Sequence, residues 1–253
     1  MRSLSTAILT GLVAAALSQS PAPAQDKDWV TIKGQVVYDG EPPQPAVLKV
    51  DKDQEHCLGK GPLVNQEWVV NSKDKGVKNV FVWLTAAGGG KLKVNPELAT
   101  IKDKVVTLDQ PRCAFEPHVV ALREGQTLRV HNSAPVAHNI SWQGSRLKNP
   151  GNNVILPPGG QQNITNFKAD TQVVSLSCNI HPWMKGWLRV FDGPYYAVTD
   201  DDGNFEIKLA PAGKAHIVMW HEGAGWVNGD KNGKAIELKP GQTLDLGTIK
   251  TKK

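Results

Sequence analysis

The chain has 253 residues, 21% charged and 40% hydrophobic, with a formal net charge of +5 and three cysteines. Its lysines are scattered apart from Lys250, Lys252 and Lys253, and no basic stripe is interleaved with aromatics. This argues against nucleic-acid binding and fits a mildly basic solvated surface with a weak preference for acidic partners. Beyond the N-terminus no stretch is long and apolar enough for a membrane span.

In chain order, the first element has the form of an export signal. Arg2 is a basic start, residues 7–17 are largely apolar, and Ala22-Pro23-Ala24 is a small-residue cleavage site. Residues 1–24 are therefore expected to be a signal peptide, and the product to be periplasmic or secreted. What remains is large for one small sandwich and comfortable for two domains. In an oxidising compartment free thiols tend to pair. If Cys178 holds a metal, Cys57 and Cys113 remain for a disulfide; alternatively all three are buried thiols.

The rest reads as all-β. Short runs rich in Val, Leu, Trp and Phe are separated by Gly, Pro, Asn and Asp clusters, and no window sustains a helical period. Strands are expected over residues 30–38, 77–84, 119–131, 172–178, 186–191 and 205–209, with at most one helical turn near 95–100. Alternation of Val174, Leu176 and Cys178 with Ser175 and Ser177 implies one buried and one solvated face. So does alternation of Leu128, Val130 and Asn132 with Arg129 and His131. Further on, Asp200-Asp201-Asp202-Gly203 reads as a hairpin turn, since its spacing lacks a calcium-loop pattern. Pro211-Ala212-Gly213 is another turn, and 215–220 a further strand.

One loop carries chemistry. Cys178-Asn179-Ile180-His181-Pro182-Trp183-Met184 sets a thiolate, an imidazole and a thioether at Cys-x2-His-x2-Met. A second imidazole would complete the His2Cys set with a weak axial Met used by electron-transfer copper. Ala137-His138-Asn139 supplies a candidate. Zinc also accepts Cys and His, and a lone buried Met or Cys is more often core filler. Pro182 removes a backbone donor and stiffens the loop. Asn139 is placed to hydrogen-bond the loop and support its ligands. His181 is expected to expose an edge, framed by Pro135, Val136, Pro182 and Trp183 as an apolar docking patch for a transient partner. His131 reads as a surface histidine. His118 has no clear register, and an auxiliary role at the metal is a minority reading. Trp220-His221-Glu222 reads as a domain-interface segment rather than a second metal site.

The middle block resembles the cupredoxins. Phe115-Glu116-Pro117, Gly125, Leu128, Val130, Asn132 and His138-Asn139 look like the family's first half. Cys178 to Gly186, with its His-Pro-aromatic-Met run, looks like its ligand loop and is most similar to the amicyanin branch. The resemblance implies a Greek-key sandwich in which His138, Cys178, His181 and Met184 ligate one copper ion. The flanks are similar to the carboxypeptidase regulatory-like module, a transthyretin-type sandwich, through Gly34-Gln35-Val36, Thr199-Asp200, Gly203-Asn204-Phe205 and Pro211-Ala212-Gly213. The implied architecture is a cupredoxin over 104–192 inserted in, or packed beside, a second small sandwich made of 28–103 and 193–250. The combination resembles exported bacterial proteins of the methylamine-utilisation-like type.

Two functions follow as expectations: a one-electron copper carrier serving a cytochrome or dehydrogenase, or a copper-storing or copper-delivering protein using the same ligands. A third reading is a structural sandwich that has lost its metal, against which the intact ligand set argues. No nucleophile or phosphate-loop motif points to an enzyme.

Overall fold

The computed structural model describes residues 28–253. The expected signal segment, residues 1–24, lies outside the described residues. The described chain is all-β. It begins with β1 (Trp29–Tyr38), a short helix α1 (Gln54–Cys57), β2 (Phe81–Ala86) and a second short helix α2 (Pro96–Ala99). Asn95 caps α2 by accepting from the Glu97 amide, which is why a single turn forms here despite its length. There follow β3 (Val105–Asp109), β4 (Val119–Arg123), β5 (Thr127–His131), β6 (His138–Gln143), β7 (Asn152–Leu156), β8 (Gln161–Ile164), β9 (Val174–Ser177) and β10 (Lys185–Phe191). The chain ends with β11 (Tyr196–Val198), β12 (Asn204–Pro211), β13 (Gly213–His221), β14 (Gly225–Trp226), β15 (Lys234–Leu238) and β16 (Thr243–Thr251).

The run at 119–131 is two strands, not one. Gly125, at φ +99°, makes the turn that separates β4 from β5. The split sends the two halves to different sheets. β5 lies between β3 and β8, whereas β4 is the edge of a five-stranded sheet ordered β4-β10-β9-β6-β7. Core-facing residues of both sheets, including Leu122, Leu128, Val130, Ile140, Leu176 and Leu188, bury against one another in one cluster.

Strands from the two ends of the chain pair with each other. β1 lies between β12 and β16, and β2 lies between β11 and β13, which continues into β14 and also pairs with β15. Val30, Ile32, Val36, Val82, Phe205, Ile207 and Ile217 fill this second core. Neither set of strands could bury its apolar face without a partner layer.

A third cluster joins the two bodies. Phe81, Trp83, Val119, Phe191 and Val218 are buried there, with Trp187, Tyr196, Trp220 and Trp226 packed around them. Trp187 meets Trp220 edge-on at 5.2 Å, and the Arg189 guanidinium lies 3.8 Å above the Trp83 ring. Such aromatic pairs add about 0.5–1.5 kcal/mol each beyond the area they bury. Among the described residues no helix is long and apolar enough to cross a membrane.

Candidate metal centre

Three strands position the candidate donors. His138 and Asn139 open β6, Cys178 directly follows β9, and β10 starts just after Met184. β9 lies between the other two, with Ser177 opposite both Ser141 and Lys185. Residues 178–184 are thus the connection between antiparallel β9 and β10, beside the start of β6. The loop is tied internally: the Met184 amide donates to the His181 carbonyl at 2.9 Å, and the His181 amide to Cys178 Sγ at 3.4 Å. Pro182 between them offers no amide and is exposed.

The donor atoms converge. His138 Nδ1 and His181 Nδ1 are 2.9 Å apart, and each is 3.9 Å from Cys178 Sγ. The centre of that triangle lies about 2.1 Å from each corner, within the range of metal–imidazole and near that of metal–thiolate bonds. His138 and His181 are fully buried and Cys178 is 1% exposed. These three form one of the two groups of potential metal donors among the described residues; the other is Cys57, Cys113 and His181. Met184, also buried, packs into the same core. Burial first, then the neighbouring His181 imidazole, pushes His138 down to about 4. It is therefore neutral near pH 7 with a lone pair to offer, the form a metal needs.

Asn139 organises the loop from the side. Its Oδ1 accepts from the Asn179 amide at 2.7 Å, the Ile180 amide at 3.1 Å and Cys178 Sγ at 3.2 Å, and its Nδ2 donates to Asn153 at 2.7 Å. Trp183 donates from Nε1 to the Cys113 carbonyl at 3.2 Å and stands edge-on to His181 at 5.1 Å. Pro135 is exposed, while Val136 and Trp183 are half-buried against the core.

One expectation is corrected. His181 exposes no edge: it is fully buried, and its Nε2 donates to Asp53 Oδ2 at 2.8 Å. Asp53 lies 128 residues upstream, on a segment that no local pattern marked as part of the site. Cys57 and Cys113 form a disulfide, and Cys178 is the free cysteine among the described residues.

The remaining histidines fall outside the donor triangle. His131 pairs with Asp109 at 3.3 Å on the surface. His118 bonds through Nε2 to Glu222, whose other oxygen accepts from Trp187 Nε1 at 2.7 Å. Glu222 loses solvent on burial, but these two donors and the charge of His118 hold its carboxyl below the usual range. His221, its ring tilted against Trp68 at 4.3 Å, is pushed down to about 4 by burial.

No family model matches the chain, and no curated protein matches it. Solved structures do. A reduced tryptophan-to-tyrosine mutant of amicyanin is 19% identical, covering 36% of this chain and 87% of its own, with a TM-score of 0.31. A second reduced amicyanin mutant, at 17% identity, covers 43% and 98% with the same TM-score. A purple cupredoxin from Nitrosopumilus maritimus is 21% identical and covers 34% and 98%, with a TM-score of 0.28.

Proposed function

We propose that the protein is an exported electron carrier with one mononuclear copper site, held by His138, Cys178, His181 and Met184. The observation that carries this reading is the buried triangle of two Nδ1 atoms and one Sγ. Copper supplies one-electron cycling between Cu(II) and Cu(I). Two imidazoles and a thiolate would suit both states, and the thioether of Met184 would add a weak fourth donor. The protein's part is to keep these groups still. Asn139 ties both ends of the Cys178–Ile180 stretch to β6, Pro182 stiffens the turn, and the surrounding core keeps water from the donors. A preformed, dry site changes little as charge arrives or leaves.

Storage or delivery is the weaker alternative. A carrier that hands over its metal exchanges ligands with a partner, and here the three converging donors are at most 1% exposed. Copper rather than zinc follows from Met184 in the loop. Residues 104–192 form the copper domain in this proposal, and 28–103 with 193–250 the sandwich that encloses it in sequence. The carrier serves a soluble redox protein, a cytochrome or dehydrogenase, that docks transiently. Adding Cu(II) to the purified protein tests the reading. One equivalent should bind with intense thiolate-to-copper absorption and reversible one-electron reduction. A colourless complex, or one stable only with Cu(I), would sink it.

A further inference from the structure

The histidine that closes the donor triangle is covered by a segment from the other end of the chain. Residues 46–65, between β1 and β2, leave the sheets of those strands, fold over the face of the donor triangle and return. An antiparallel bridge between Val47 and Val64 closes the excursion, and the Leu48 amide donates to the Leu63 carbonyl at 2.9 Å. Val50, Cys57 and Leu63 bury in the same core as Cys178 and Met184, not in the core of the flanking sheets. The Cys57–Cys113 disulfide bolts the flap to the metal-bearing body, and Arg112 adds a bond of 2.7 Å to the Gly61 carbonyl.

Asp53 stands at the centre of this flap, at the N-cap of α1. An Asp there ordinarily accepts from its own helix amides. This one makes no such bond, and its backbone is left-handed at φ 47° and ψ 38°. Its side chain reaches instead to His181 Nε2. The carboxylate would hold the proton on Nε2 and so leave the Nδ1 lone pair to a bound metal, as carboxylates do behind metal-bound histidines. At this face the group that meets solvent is Asp53, its side chain 33% exposed, and not the imidazole.

We infer that Asp53 is a positioning residue for His181, and that the disulfide-bolted flap carrying it is a latch over the metal site. Opening the latch takes reduction of Cys57–Cys113 by a dithiol: two electrons and two protons enter, the S–S bond breaks and two thiols form. The flap then loses its covalent hold. The inference builds on the copper reading for its effect on potential but not for its effect on access.

Two readouts keep these apart. In the metal-free protein, the rate at which iodoacetamide alkylates Cys178 reports opening. Losing a hydrogen bond to a charged group should make Asp53→Ala react on the order of tenfold faster. Cys57→Ser with Cys113→Ser should react faster still, and Asp53→Asn, which keeps an acceptor, should stay near the parent rate. In the copper-loaded protein, Asp53→Asn should raise the reduction potential, because a negative charge that favours Cu(II) is gone. Parent-like alkylation in Asp53→Ala together with an unchanged potential in Asp53→Asn would overturn the inference. Faster alkylation in a protein that binds no copper would uphold the latch and sink the copper reading instead.

Discussion

His138 and His181 turn their Nδ1 atoms toward each other and toward a thiol, while His118 turns Nε2 to a carboxylate that Trp187 also binds. The first is fully buried and the second partly so. In the first, three potential metal-donor atoms lie within 4.8 Å of one another. Such an arrangement has a use when an ion sits among them. In the second, each oxygen of the Glu222 carboxylate meets one ring nitrogen, and the group bridges β10 and the 118 region to the end of β13. It is a joint between the two bodies. The difference teaches that burial of histidine says little about metal; what surrounds each ring nitrogen decides.

Substitutions can break this contrast. Cys178→Ala should abolish the visible copper band and most of the metal affinity while the joint survives, checked by absorption and by equilibrium dialysis with Cu(II). Glu222→Ala should do the converse. It leaves His118 and Trp187 Nε1 buried without their acceptor and should cost about 3–5 kcal/mol in urea unfolding, with the copper spectrum retained. Removing the disulfide through Cys57→Ser with Cys113→Ser should cost about 2–4 kcal/mol by the same measurement. Met184→Ala should retain copper, shift its potential, and lose about 2–3 kcal/mol of stability in the metal-free state. An unchanged potential would remove Met184 from the site.

The most gradual effect is with pH. Burial holds His221 near 4, below its ordinary value, so the unfolded chain binds the proton more readily. Stability should therefore fall as pH drops from about 6.5 toward 4, by at most about 1.4 kcal/mol per unit for this one group. Glu222, held below the usual carboxylate range, should add its loss at still lower pH, as it is protonated in the folded state. His221→Gln should flatten the first part of that curve in a series of urea titrations.

Legibility in the sequence followed distance along the chain. The ligand loop spans seven residues, and its soft-donor spacing stands out unaided. His138 needed the strand pattern around it. β-structure was visible from composition and turn residues, although 119–131 read as one strand; the polar Arg123-Glu124-Gly125-Gln126-Thr127 stretch marks the turn between two. Asp53 left no local trace: it reaches His181 only because residues 46–65 fold onto the body that carries the donor triangle. For the same reason His181 was expected at the surface. A loop motif reports its own residues and not what the rest of the chain lays over it. His118 resisted placement because its partner, Glu222, lies 104 residues away on another sheet.

As a copper site for electron transfer, the proposed His138, Cys178 and His181 set must cycle its metal without losing it. Spectroelectrochemistry on the Cu(II)-loaded protein tests this most directly. The expected result is one copper per chain and an intense visible band that vanishes on one-electron reduction and returns in full on oxidation. A bound ion without the band, or a band that does not return, would contradict it.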